Sequence, residues 1–142
     1  NTNYRVMTIS ESKEFSVHFS SLKQIRSFAR EILARDDIFK STSDDVVLAL
    51  AEAAQNIVKH AYSGQETSDN LKVEINFNNN QLKIDLYDKG VPAIPSNIKP
   101  RNVDDIKPGG LGTFFIGQIM DEVMFKTAAT DWVNHLILIK NY

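Results

Sequence analysis

The chain contains no cysteine. That removes disulfides, thiol nucleophiles and cysteine-ligated zinc, and is compatible with a reducing cytoplasm. No hydrophobic run approaches the length that crosses a bilayer, and the first residues lack a basic segment followed by an apolar one, so no membrane association is expected. Positive charge is not in excess: 16 lysines and arginines against 18 aspartates and glutamates leave a formal net charge of −2. Without a basic stripe to neutralise phosphates, nucleic acid is not expected as a direct partner. Several signatures are missing as well. There is no G-x-x-x-x-G-K-[ST] loop, no G-x-G-x-x-G after a strand and no H-E-x-x-H, nor any repeat or low-complexity tract. What remains is 142 residues, 42% hydrophobic and 24% charged. The expectation is one soluble, intracellular domain over residues 1–142, with a cytoplasmic location, long enough to bury a core.

The most informative stretch is DDVVLALAEAAQNIVKHAY, Asp44 to Tyr62. Val47, Leu50, Ala51, Ala54, Ile57, Val58 and Ala61 recur at three- and four-residue spacing, one apolar stripe along a helix. On another face Glu52, Asn56 and Lys59 stack at intervals of four and then three. An acid, an amide and an ammonium in one column fit a solvated face with a Glu–Lys pattern, and they equally fit a site.

Upstream, Tyr4–Ile9 and Glu14–Phe19 alternate as two short strands, with a turn near Glu11 and Ser12. Ser21 and Gln24 predict a capping box for a first helix carrying Leu22, Ile25, Phe28 and Ile32 inside and Lys23, Arg26, Arg30 and Arg35 outside. Ser43 is the predicted N-cap of the central helix, Asp44 and Asp45 suit its positive end, and Ser63-Gly64 ends it. Leu71, Val73, Ile75 and Phe77, then Leu82, Ile84 and Leu86, predict two strands joined by a turn at Asn78-Asn79-Asn80. Lys89–Gly110 holds all four prolines and three of the six glycines without any period, the character of a lid or binding loop. Leu111–Asp121 reads as a short helix with Phe115, Ile116, Ile119 and Met120 on one face, and Val123–Thr127 and Trp132–Lys140 as closing strands. The order β-β-α-α-β-β-loop-α-β-β predicts an α+β two-layer sandwich, a mixed and mostly antiparallel sheet with helices on one face. His18 and His135 are read as packed or surface histidines, and Trp132 and the eight phenylalanines as core.

Two further features carry chemistry. Asp88 shares parity with Leu82, Ile84 and Leu86, which aims a carboxylate at the buried side unless the strand stops one residue early. Gly90 follows, where the backbone can turn sharply or let a ligand approach. Later, Gly109-Gly110-Leu111-Gly112-Thr113 opens a helix, an arrangement that serves as a flexible loop end or as a phosphate cradle.

Taken in order, Glu52-x-x-x-Asn56, Asp88-x-Gly90 and Gly110-x-Gly112 after a long loop resemble the N, G1 and G2 boxes of the GHKL (histidine-kinase-like) ATPase superfamily. LALAEAAQNIVKHAY and PGGLGTFFIGQIMDEV are most similar to the anti-sigma-factor serine/threonine kinases of bacterial partner switching, over nearly the whole chain. The resemblance implies the Bergerat ATP-binding fold, with ATP or ADP and Mg2+ as cofactors. Asn56 would be the metal ligand and Asp88 would accept a hydrogen bond from the adenine amino group. Lys59, Arg101 and Lys107 would reach phosphate. Gly110, Leu111, Gly112 and Thr113 would offer N–H groups to it, under a lid at about residues 89–110. Glu52 would be the general base. Where the superfamily often has D-x-G-x-G, this chain has Pro92, which alters the mouth of the lid.

Three activities follow from that resemblance. One is a protein kinase that binds a sigma factor or other regulatory protein and phosphorylates a STAS-domain antagonist, acting as a homodimer. The second is a nucleotide-gated antagonist without kinase activity. The third is the catalytic domain of a sensor histidine kinase, against which stands the lack of a helical hairpin with a phospho-accepting histidine.

Overall fold

The clearest alternation in the sequence becomes the middle of a sheet. The computed structural model describes residues 7–63, 65–92, 111–128 and 131–142, with residues 111–114 described by their backbone alone. Strands β2 (Asn70–Asn78) and β3 (Gln81–Asp88) pair antiparallel across a two-residue turn. Asn79 and Asn80 take φ of 51° and 60°, the left-handed pair that a tight hairpin of this twist requires and that asparagine tolerates. Leu71, Val73, Ile75 and Phe77 face Leu86, Ile84 and Leu82 on one side, all buried, as the period of two predicts.

β1 (Ile9–Ser16) adds to the outer side of β2. Beyond β3 lie β5 (Asn134–Asn141) and then β4 (Glu122–Thr127), giving the order β1-β2-β3-β5-β4. Among the described residues every pairing is antiparallel. Helices α1 (Leu22–Leu33), α2 (Ser43–Asn56) and α3 (Leu111–Ile119) bury Ile25, Ile32, Leu50, Ala54 and Ile116 in one core with the sheet's inner face. α2 packs between the other two. This is the expected α+β sandwich, with helices on one face.

Four local expectations are corrected. No turn occurs at Glu11 and Ser12; β1 runs straight through them, Ser12 opposite Glu74. The capping box does not form: Ser21 makes no side-chain cap bond, and its hydroxyl shares a 2.7 Å bond with Ser16 instead. A 3₁₀ turn at Phe19–Ser21 precedes α1, capped by His18 Nδ1 accepting from Ser20 N–H at 3.0 Å. Thr42, not Ser43, stands at the N-cap of α2, its hydroxyl within 2.8 Å of the Tyr142 hydroxyl. Phe115 is 48% exposed, and Phe19 is exposed as well, so among the described residues two of the phenylalanines read as core stand outside it. Residues 4–6 of the first expected strand, and the predicted lid from residue 93 to 110, lie outside the described residues.

Candidate functional site

The central helix ends unusually. It is α-helical to Asn56, and Ile57–Ala61 then form a π turn, a rare form that is frequent at functional sites. Ser63 follows with φ 53°, the left-handed position that closes the helix; Gly64 lies outside the described residues. Glu52 and Asn56 are half-buried on the last α turns, whereas Lys59 is exposed within the π turn. The three-residue step from Asn56 to Lys59 therefore runs through i→i+5 geometry, not the α spacing that would stack them.

The strand that carries Asp88 meets this helix end. Val91 N–H donates to Ala61 O at 2.8 Å, and Lys89 N–H donates to the Tyr62 hydroxyl at 3.0 Å. A Cβ built on Gly90 would lie 2.6 Å from both the Cβ and the carbonyl oxygen of Ala61. No real Cβ makes such a contact, so the glycine of D-x-G is required by helix packing as much as by any ligand. Tyr62 in turn donates to Asp69 Oδ2 at 3.0 Å. Between the helix end, residues 65–69 and Lys89–Val91 opens a cavity of about 390 Å³, lined by Tyr62, Asp69, Lys89 and Gly90 among others; Asp88 does not line it.

Asp88 is 3% exposed, on the inner face as its parity requires. Its Oδ1 accepts from Asn134 Nδ2 and from Gly90 N–H, each at 2.9 Å. Among the described residues no donor reaches Oδ2. Burial raises the carboxyl above its ordinary range, against the pull of the bonds from Asn134 and Gly90, and the charge of Asp69 adds to the rise. The result is a buried acid with one oxygen held by two donors. Asn134 also donates to Val91 O at 3.1 Å, tying the strand exit to β5.

The other predicted site residues are placed only in part. Leu111, Gly112 and Thr113 form the first turn of α3, where backbone N–H groups have no partner within the helix. Arg101, Lys107 and Gly110 lie outside the described residues. Among the described residues no cluster of histidine, aspartate or glutamate could hold a metal. Sequence reasoning missed Asn134, Tyr62 and Asp69. Asn134 had a signal, its parity with Leu136 and Leu138, which sets it on the inner face opposite Asp88.

The two-layer α+β sandwich, with an amide-bearing helix end fastened to a buried strand-end aspartate, is consistent with the fold of a histidine-kinase-like ATPase domain. The sequence profile of the histidine kinase-like ATPase domain matches residues 15–140, and the chain belongs to that family. It is similar to the serine-protein kinase RsbW of Staphylococcus aureus strain MRSA252, 34% identical over 104 residues that cover 68% of this chain and 62% of the relative. RsbW of strain Newman matches to the same extent. The chain thus spans less than two thirds of the length of these relatives. No described helix is long and apolar enough to cross a membrane.

Proposed function

We propose that this protein is an ATP-dependent serine/threonine kinase of the anti-sigma type, which binds a regulatory partner and phosphorylates a STAS-domain antagonist. The observation that carries the reading is Asp88, a buried carboxylate whose Oδ2 receives no described donor, at a strand end fastened to the helix of Glu52 and Asn56. The 34% identity to a serine-protein kinase supports the same reading.

In this reading Asp88 accepts from the adenine amino group, and Asn56 offers a neutral oxygen to Mg2+, whose charge offsets that of the phosphates. Gly110, Leu111, Gly112 and Thr113 direct N–H groups to the phosphates, and Lys59, Arg101 and Lys107 approach them. Glu52, one helical turn before Asn56, takes the proton from the substrate serine or threonine hydroxyl as its oxygen bonds to the γ-phosphorus and ADP leaves. The protein acts in the cytoplasm, as a homodimer.

The test is transfer of the γ-phosphate from Mg-ATP to candidate STAS proteins, read by intact mass for wild type, Glu52→Ala and Asp88→Asn, with ATP binding measured for each. Transfer by wild type alone, with Glu52→Ala still binding ATP, supports the kinase and its base. ATP and partner binding without transfer leaves the nucleotide-gated antagonist. Absence of ATP binding by wild type overturns both.

A further inference from the structure

Tyr62 lies between two groups that the mechanism leaves unused. Its hydroxyl donates to Asp69 Oδ2 at 3.0 Å and accepts from Lys89 N–H at 3.0 Å. The hydroxyl has a single proton, and the carboxylate of Asp69 takes it, which leaves a lone pair facing Lys89. Burial pushes the Tyr62 phenol well above its usual range, so the proton is retained at any working pH.

The amide that Tyr62 holds belongs to the peptide joining Asp88 to Lys89. The carbonyl of that same peptide accepts from Val133 N–H at 2.8 Å. One peptide plane is therefore gripped from both sides, by the central helix through Tyr62 and by the segment leading into β5 through Val133. The plane fixes the backbone immediately after Asp88, and Gly90 N–H, one residue further on, reaches back to Asp88 Oδ1. Loss of the Tyr62 hydroxyl frees the helix-side grip and leaves the carboxylate's orientation less defined. The ring would still fill its place.

We propose that Tyr62 is a positioning residue for base recognition, orienting the Asp88 carboxylate through the hydrogen-bonded relay Asp69–Tyr62–Lys89. The inference rests on the nucleotide reading above and adds a determinant of base selectivity to it. A positioning role for an acceptor of the adenine amino group makes a specific demand. It must matter for ATP and not for inosine triphosphate, which carries an oxo group in place of that amine. A merely structural role would weaken both alike.

The experiment is calorimetric binding of ATP and of inosine triphosphate, with Mg2+, to wild type, Tyr62→Phe, Asp69→Ala and Asp88→Asn. Wild type is expected to prefer ATP. Tyr62→Phe should weaken ATP binding about tenfold and inosine triphosphate binding less than about twofold, the loss associated with one buried hydrogen bond to a charged group. Asp69→Ala, which cuts the relay at its far end, should shift the ratio the same way. Amide hydrogen exchange without nucleotide supplies a second readout, since Tyr62→Phe should speed exchange at Lys89. If Tyr62→Phe and Asp69→Ala keep the wild-type preference, the positioning role is overturned and the nucleotide site stands. If wild type binds both triphosphates alike, base recognition by Asp88 and its positioning both fall. If wild type binds neither, the nucleotide reading itself fails.

Discussion

Asn134 stands directly opposite Asp88 across the β3–β5 pair and donates its Nδ2 to Asp88 Oδ1 at 2.9 Å. The amide also donates to Val91 O, so one side chain supports the acid and the chain that leaves it. Asn134→Leu removes both bonds while filling similar space. We expect a loss of about 1–3 kcal/mol in urea unfolding, because a buried carboxylate oxygen is left with a single donor. ATP binding should weaken with it.

Asp88 makes stability depend on pH in an unusual sense. Its folded-state pKa is raised, first by burial, so as pH falls the folded protein takes up the proton before the unfolded chain does. Stability therefore declines as pH rises from the unfolded value through the folded one, and the cost of a buried charge is fully present above both. Asp88→Asn keeps an oxygen for the Asn134 and Gly90 donors and removes the charge. The variant should be more stable than wild type at neutral pH, the gap closing as pH falls below the folded pKa, while ATP binding is lost. Thermal unfolding of both proteins across the acidic range checks the sign.

Gly90→Ala is expected to destabilise by about 1–3 kcal/mol, since the new methyl would lie 2.6 Å from backbone and side chain of Ala61. Ala61→Gly in the same chain should recover only part of the loss, because the carbonyl oxygen of residue 61 remains in the way. A double-mutant cycle measures the recovered part.

On the other face of the sheet, His135 Nε2 lies 2.6 Å from Oδ1 of Asp85, which is 3% exposed, and the imidazole stacks on Tyr87 at 4.1 Å. His135→Phe retains the stack and leaves Asp85 with Lys83 at 3.7 Å. Unfolding should show a cost of roughly 1–3 kcal/mol, that of an under-bonded buried carboxylate. Asp85→Asn in the same chain should restore most of it.

Much of the sheet and part of the site were legible because their signals are local. Period two set Leu82, Ile84, Leu86 and Asp88 on one face, and the structure buries all four. β1 misled because it is an edge strand with charges on its inner face. Glu11 and Lys13 share the side of Ile9 and Phe15, with Glu11 bonded to Arg35 at 2.7 Å and the Lys13 ammonium 5.5 Å above the Phe15 ring. Inward charges protect such an edge from unwanted pairing, and in sequence they imitate a turn. Caps were misread for a related reason: the Ser21 hydroxyl is taken by Ser16 across the turn before α1, and the Thr42 hydroxyl by Tyr142, a partner 100 residues away. The relay through Tyr62 lay beyond sequence reasoning, since it depends on the strand exit returning to the helix end 27 residues earlier.

The π turn after Asn56 has a consequence in angular phase. Each residue of an α-helix advances about 100°, and each residue of an i→i+5 turn advances less. Between Asn56 and Tyr62 the five residues Ile57–Ala61 therefore act as a vernier, setting the direction of the Tyr62 ring independently of the face that Glu52 and Asn56 share. A uniform α-helix over the same span would keep both faces in fixed relation and swing the phenol away from Lys89. The wider turn lets one continuous segment serve two directions, one toward the Glu52 and Asn56 column and one toward the backbone behind Asp88.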